Sequence, residues 1–197
     1  AEYDLNEETA HTNITRSVLF VGHRFNSKIS FFSELELEDA KIEGGEAGGE
    51  LALEQFYLRF NIFRNAYIVA GLFTPRIGII NENHLPTTFY GNNRPYVERL
   101  VIPATWREIG VAIYGSINKI NGLNYTFGIV NGLNSAGFEN GTGIRGGRFS
   151  GRDATASNLA ATGSLLYYLK DFRFQVSGYY GGTAGLSKRD ADSLNLE

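Results

Sequence analysis

The sequence predicts an all-β fold, an antiparallel transmembrane β-barrel with about eight of its strands in these 197 residues. Hydrophobic and polar residues alternate along several segments, which is typical of strands with one apolar face. The connections between these segments are alternately short and long. No segment approaches the roughly 20 consecutive apolar residues that a membrane helix needs. Since only helices and closed barrels satisfy all backbone polar groups in lipid, a membrane span here must be a barrel.

Composition narrows the classes of function. The formal net charge is -3, whereas nucleic-acid binding usually needs a basic surface, so no nucleic-acid partner is expected. The chain has no cysteine, which excludes disulfides and thiolate metal sites. It has 14 Phe, 11 Tyr and 24 Gly, a composition that favours aromatic strands with glycine-rich loops. Because no methionine and no signal peptide are present, we expect the chain to begin after processing or within a longer protein.

Eight segments have the pattern of strands. The second is the clearest: Phe31 and Leu35 fall on one face, and Glu34 and Glu36 fall on the other. The predicted strands are residues 12–25, 28–38, 51–62, 66–73, 106–117, 124–133, 156–169 and 172–181.

The lengths of the connections predict the topology. Short turns join the strands in pairs, and the pairs are separated by the long segments 39–50, 74–105 and 134–155. Outer-membrane barrels have short periplasmic turns and long extracellular loops. We therefore expect residues 1–197 to form one incomplete barrel segment with both ends outside the cell. The parent barrel would have about 16 strands.

Sequence motifs between the third and sixth predicted strands resemble a known family. They are EQFYL at 54–58, AGLFTPRIG at 70–78, NENH at 81–84, PTTF at 86–89, RPYVER at 94–99, IPATWREIG at 102–110 and NGL at 131–133. Over roughly residues 15–180 the chain resembles outer-membrane porins of Bacteroidetes-type Gram-negative bacteria, related to the phosphate-selective porins O and P. The resemblance implies a barrel of about 16 strands, often trimeric, that passes small hydrophilic solutes or ions across the cell outer membrane.

The predicted lumen face has mixed charge. The phosphate-selective members of the family line their pores with many basic residues. Here the lumen candidates are acidic at Glu34, Glu36 and Glu38 and basic at Arg59 and Arg173, with Arg16 and Arg24 less clearly placed. This mixture does not favour anion selectivity.

The long segment 74–105 is the strongest functional candidate, because long loops inside compact domains are usually functional. The resemblance implies that it folds inward and narrows the pore. Its constriction candidates are Arg76, His84, Arg94, Glu98 and Arg99, with Glu82 beside them. Opposed charges there would create a transverse field that screens solutes. The alternative is that these side chains pair with each other and pin the loop to the barrel wall.

Two further loops carry concentrated charge. Arg145, Arg148 and Arg152 lie in a glycine-rich loop, which is either an electrostatic funnel that contacts lipopolysaccharide or, as we favour, a solvated loop. Asp39, Glu43, Glu46 and Glu50 form an acidic loop that could bind calcium, but the spacing matches no EF-hand and a solvated loop is favoured.

Trp106, at the end of the long segment, is either an aromatic residue of the membrane interface or a packing anchor for the loop, and we favour packing.

Three functional classes remain open. The three histidines are far apart and no nucleophile motif or metal-ligand spacing occurs, so we expect no enzyme, no cofactor and no metal. The leading hypothesis is a passive porin in contact with outer-membrane lipid and lipopolysaccharide, as a homotrimer or with other outer-membrane proteins. The alternatives are a non-conducting barrel subunit of a larger complex and a soluble β-sandwich with a binding role.

Overall fold

The computed structural model describes residues 2–4, 9–11, 16–38, 49–89, 91, 94–154 and 156–183. They form an all-β structure with a small hairpin, β1 (Glu2–Asp4) and β2 (Thr9–His11), and one large antiparallel sheet. The strands of the large sheet are β3 (Arg16–Arg24), β4 (Ile29–Glu38), β5 (Glu50–Phe63), β6 (Ala66–Phe73), β7 (Glu108–Ser116), β8 (Leu123–Asn131), β9 (Leu159–Leu169) and β10 (Phe172–Gly181).

The large sheet is an open meander. Its eight strands lie in chain order, and each pairs antiparallel with its neighbours in sequence. Within the described part of the chain, β3 and β10 are the two edges. The predicted all-β antiparallel class is therefore confirmed as one sheet of eight strands, and all eight predicted strands are present.

The strand ends differ from the predicted ones by a few residues. The predicted fifth strand begins at 106, but β7 begins at Glu108, because the backbone of Trp106 bonds to Asn81 instead of to a neighbouring strand. The predicted seventh strand begins at 156, but β9 begins at Leu159. Of the predicted first strand, residues 12–15 lie outside the described residues.

A β-bulge in β5 changes which side chains share a face. Glu34 pairs with Gln55 and Leu35 pairs with Leu53, so Glu54 is an extra residue in the ladder. The extra residue reverses the alternation that precedes it. Ala52, which an unbroken alternation would place on the face of Phe56, therefore pairs with Glu36 on the opposite face.

The sheet has an apolar face and a polar face. The apolar face is largely exposed, except at Leu72 of β6, which is buried. Its exposed side chains include Leu19, Leu37, Phe56, Leu58, Ile109, Val111, Phe127, Ile129, Leu165, Phe174 and Val176. The opposite face carries mainly polar and aromatic side chains, among them Glu34, Glu36, Gln55, Arg59, Thr126, Thr162, Ser164 and Gln175. Much of this polar face is buried.

Residues 74–105, named the crossing segment below, lie across the polar face. They contain three short helical turns at Asn81–Asn83, Pro86–Thr88 and Val97–Val101. In the ranges that the structure describes, no helix is both long and apolar enough to cross a membrane.

Contacts of the crossing segment show that the sheet is curved. Gly78 accepts a hydrogen bond of 2.8 Å from Gln175 on β10, and His84 Nε2 lies 3.8 Å from Glu34 Oε1 on β4. These strands are six positions apart in the sheet order, which would be about 29 Å in a flat sheet. Turns with a rise of about 2 Å per residue carry the chain only ~12 Å between Gly78 and His84. The sheet must therefore curl around this segment.

Candidate functional site

Glu98 fastens one part of the crossing segment to another. Its carboxylate is buried and accepts hydrogen bonds from the backbone N–H groups of Ile79, at 2.7 Å, and Ile80, at 3.3 Å. Bonds from N–H groups to a buried carboxylate are among the stronger hydrogen bonds in proteins. Arg99, the next residue, is exposed. Both residues were predicted at the constriction. Glu98 binds backbone N–H groups, whereas Arg99 is exposed to solvent.

Asn81 joins the beginning of the crossing segment, at Pro75, to Trp106, the residue that follows its end. The Asn81 amide donates 2.8 Å hydrogen bonds to the carbonyls of Pro75 and Trp106 and accepts a 2.6 Å bond from the Trp106 N–H. The Trp106 ring is buried against Ile77 and Leu133, and its indole N–H donates to Glu108 at 3.0 Å. The interpretation of Trp106 as a packing anchor is confirmed.

His84 is inserted between two acidic side chains of the sheet, and the three residues Glu34, Glu54 and His84 are named the acid–histidine cluster. The His84 Nε2 atom lies 3.8 Å from Glu34 Oε1 and 3.8 Å from Glu54 Oε2, too far for a direct hydrogen bond. Gln55 donates to the other oxygen of Glu34 at 2.6 Å, and Arg107 pairs with Glu54. No group of three or more His, Cys, Asp or Glu side chains is arranged to hold a metal in the described ranges. The cluster joins the crossing segment to β4 and β5.

A charged cleft of about 170 Å³ lies where β4 ends and β5 begins, and is named the acid–arginine cleft. Carboxylates of the sheet form one wall and guanidinium groups of the loops form the other. The charged residues that line it are Glu36, Glu38, Glu50, Glu54, Arg94, Arg107, Arg145 and Arg148. Arg16 of β3 pairs with Glu36 at 2.9 Å and also with Glu38. Opposed charges therefore face each other across a narrow space at the long-loop end of the sheet.

Three arginines of this cleft bind carbonyl groups at the end of the crossing segment. Arg94 and Arg145 donate to the Ala104 carbonyl at 2.8 and 2.9 Å. Arg148 donates to the carbonyls of Pro103, at 2.6 Å, and Thr105. Arg145 and Arg148 thus tie the glycine-rich loop to the crossing segment.

The solvated-loop interpretation is therefore wrong for Arg145 and Arg148. It holds for Arg152, whose side chain is 89% exposed beside Asp153. Burial lowers the pKa of Arg148 to about 10, assisted by the charges of Arg145 and Arg107. Burial also lowers the pKa values of Arg94 and Arg145, each of which has another arginine nearby. The pKa values fall because the three guanidinium groups are partly buried and lie close to one another beside the crossing segment.

A second cleft, of about 400 Å³, lies towards the short-turn end of the sheet and is named the arginine–tyrosine cleft. It is lined by Arg59 of β5, Arg173 of β10 and Arg76 and Glu82 of the crossing segment, together with Tyr57, Tyr67, Tyr114, Tyr168, Gln55, Asn83, Thr74, Val69, Phe73 and Leu166. The curvature of the sheet brings these distant strands to one space.

The side chains of this cleft are stacked. The Arg59 guanidinium lies 3.8 Å from the centre of the Tyr67 ring, and the Tyr67 and Tyr114 rings are parallel with centres 5.2 Å apart. Arg76 lies 5.3 Å from the Tyr114 ring and binds Glu82 at 2.5 Å. Burial disfavours the Arg76 charge, but the hydrogen bond and charge of Glu82 outweigh it and raise the Arg76 pKa.

The candidate lumen residues fall into separate groups. Three of them, Arg59, Arg76 and Arg173, line the arginine–tyrosine cleft, and Glu36 and Arg94 line the acid–arginine cleft. Glu34 and His84 belong to the acid–histidine cluster. Glu98 binds backbone N–H groups, and Arg99 is exposed. Of the proposed calcium residues, Glu50 lines the acid–arginine cleft, and Asp39, Glu43 and Glu46 lie outside the described residues.

Sequence reasoning missed several residues of these groups. Glu54 was not among the candidates, but the bulge frees its carboxylate for Arg107 and brings it close to His84. Asn81 was visible only within a family motif, and no pattern signalled that its amide joins Pro75 to Trp106.

Comparison with known proteins found a relative of unknown function. The chain is 37% identical over 194 residues to an uncharacterized protein of Aquifex aeolicus (strain VF5). The alignment covers 97% of this chain and 43% of the relative, so the chain spans less than half the length of that protein. No protein-family model matches the chain, and no solved structure matches it. The resemblance to outer-membrane porins stays a prediction.

Proposed function

We propose that the protein is an outer-membrane porin that lets small hydrophilic solutes or ions diffuse passively across the outer membrane. The observation that carries the proposal is a curved sheet with an exposed apolar face and a polar face crossed by residues 74–105. A membrane barrel needs an apolar exterior, and a channel needs a polar interior. A soluble β-sandwich would instead bury its apolar face against a second sheet.

The open edges of the sheet support a larger barrel. Unpaired backbone groups at β3 and β10 would cost several kcal/mol each in lipid, unless further strands pair with them. The Aquifex relative is more than twice as long as this chain, which leaves room for such strands. In this proposal the complete barrel has about 16 strands and the long loops are extracellular.

The crossing segment would narrow the lumen. It is held in place by the hydrogen bonds of Asn81 and Glu98, and its residues line both the acid–arginine cleft and the arginine–tyrosine cleft. Solutes would pass along the polar face on the part of the lumen that this segment leaves open. The partners of the channel are outer-membrane lipid, lipopolysaccharide and, at its lateral surface, further copies or other outer-membrane proteins.

One observation favours a second candidate, a non-conducting barrel subunit of a larger complex. Asn81 and His84 of the crossing segment and Trp106 beside it are almost completely buried, so solvent does not reach this part of the polar face. If the remaining strands are filled in the same way, the barrel is closed to solutes.

Conductance of the full-length protein in a planar lipid bilayer distinguishes these candidates. A porin is expected to give discrete conductance steps that persist at low voltage and scale with salt concentration. A detergent-purified barrel that inserts but gives no conductance at any voltage would reject the porin. Co-purification of other outer-membrane proteins at fixed stoichiometry would then support the subunit of a complex.

A further inference from the structure

We infer that the arginine–tyrosine cleft binds an organic carboxylate with a flat apolar or aromatic body. This inference deepens the proposed function, because it names a class of solute for the same channel. Binding at the cleft is nevertheless measurable without any conductance.

The charge of the cleft favours an anion. Glu82 is its only carboxylate among the described lining residues, and Arg76 binds it. The hydrogen bonds of the Arg59 and Arg173 side chains in the described structure are to the neutral amides of Asn61, at 3.0 Å, and Gln175, at 2.7 Å. Two guanidinium groups therefore remain without an acidic partner in one cleft.

One donor in this cleft is buried and unused. The Nε atom of Arg173 has no hydrogen-bond partner within the described part of the chain, although it is buried from solvent. A buried donor left unpaired costs about 1–3 kcal/mol, and a ligand carboxylate would recover this energy once the Arg173 side chain turns its Nε towards the cleft. A carboxylate matches the donor geometry of a guanidinium and accepts two parallel hydrogen bonds from it.

The rest of the lining favours an organic body over an inorganic ion. Val69, Phe73 and Leu166 form a buried apolar floor. The stacked rings of Tyr67 and Tyr114, with the Arg59 guanidinium over the Tyr67 ring, line one side. A small inorganic oxyanion would leave these surfaces without contacts. A volume of about 400 Å³ is within the range of small-molecule sites and accommodates a ring that bears a carboxylate.

The position of the cleft separates an anion from Glu36 and Glu38, whereas Glu34 lies beside the cleft and its carboxylate is bound by Gln55 of the lining. Arg59 pairs with Ser30 near the turn between β3 and β4, and Arg173 lies beside the turn between β9 and β10. Glu36 lies towards the opposite end of the polar face, beside Arg16. The arginines that lack an acidic partner in the described ranges, Arg59 and Arg173, thus lie towards the short-turn end of the polar face, whereas Glu36 lies towards the long-loop end.

Isothermal titration of the full-length protein in detergent with benzoate tests the inference. Benzoate is expected to bind at least ten-fold more tightly than benzyl alcohol, which has the ring without the charge, and than phosphate, which has the charge without the ring. Arg59→Gln and Arg173→Gln are each expected to weaken benzoate binding at least ten-fold. Arg152→Gln, in an exposed loop beside Asp153, is the matched control and is expected to leave it unchanged.

The outcomes separate this inference from the porin proposal. Equal binding of phosphate and benzoate, or benzoate binding that survives both substitutions, would overturn the organic-anion site. Circular dichroism verifies folding of each variant, and Arg173→Lys, which keeps the charge without the paired donors, is expected to bind with intermediate affinity. Conductance without benzoate binding would reject the site alone, whereas benzoate binding without conductance would reject the channel alone.

Discussion

At the scale of single residues, Glu98 and Arg99 show how adjacent charged side chains take different roles. Both belong to the helical turn Val97–Val101, where successive side chains point in different directions. Glu98 is buried and holds two backbone N–H groups, while the Arg99 side chain is exposed. Gly78 lies against Glu98, since a Cβ atom at position 78 would be 2.5 Å from Glu98 Oε2. The carboxylate therefore holds residues 78–80 in place.

Replacement of Glu98 by Gln is expected to loosen the crossing segment. A neutral amide accepts more weakly than a carboxylate, and its NH₂ group would face one of the two backbone donors, a loss of about 1–3 kcal/mol. Limited proteolysis within residues 74–105 should become faster, and the amides of Ile79 and Ile80 should exchange faster with solvent. Arg99→Gln is the control. Equal proteolysis of the two variants would contradict the pinning role of Glu98.

At the scale of elements, the pairing of β5 and β6 depends on the absence of a side chain at Gly71. Gly71 has φ +135°, a conformation that side chains rarely adopt, and lies opposite Tyr57. A Cβ atom there would collide with the Phe56 carbonyl and would lie 2.8 Å from the Tyr57 Cα atom. These are backbone atoms, which can move only if the strands shift.

Gly71→Ala is therefore expected to destabilise the sheet by about 1–3 kcal/mol, because the new methyl group forces the paired strands apart. Thermal unfolding in detergent should show a midpoint lower by roughly 2–4 °C for each kcal/mol lost. Gly178→Ala in β10 is the matched control, since no atom lies within 4 Å of its added Cβ. A midpoint drop of the same size in both variants would show that backbone crowding at Gly71 is not the cause.

The strands could be predicted from the sequence because each one borders two different environments. Hydrophobic and polar residues alternate along β4 and β10 for this reason, and all eight strands of the large sheet were predicted. The short strands β1 and β2 were not predicted. The prediction for residues 51–62 assumed one unbroken alternation and therefore missed the bulge at Glu54. The sequence does carry its mark, because the apolar positions change from Leu51 and Leu53 to Phe56 and Leu58.

The contacts that fix the candidate site are non-local, which is why sequence reasoning identified candidates without their partners. Arg107 and Glu54 are 53 positions apart, and Arg148 reaches carbonyls more than 40 positions earlier. A glycine-rich segment with arginines is typical of a solvated loop, and only the fold shows that Arg145 and Arg148 are half-buried. The alternative that the charged side chains of the crossing segment pair with each other holds for Arg76 and Glu82. Glu98 instead binds backbone N–H groups of the same segment.

At the scale of the whole molecule, the sheet exposes apolar side chains on one face and encloses polar ones on the other. Exposed residues such as Val111, Phe127 and Val176 belong to one continuous surface across the strands. Contiguous apolar surfaces of this extent mark membrane or protein contacts, because water would otherwise disfavour them. The proposed membrane position of the sheet therefore has a direct test at the level of single side chains.

Val176 and Ser177 are neighbours in the middle of β10 that point to opposite faces, and Val176 is 73% exposed. If the apolar face lies in lipid, Val176→Arg should cost about 2–4 kcal/mol of insertion energy near the bilayer centre. Ser177→Arg would place the same charge beside polar groups and should cost less. The folded fraction in lipid vesicles, measured by heat-modifiable migration on a detergent gel, should thus fall much further for Val176→Arg. Equal tolerance of both arginines would place the apolar face outside lipid, because an exposed valine on a water-soluble surface accepts a charge with little loss.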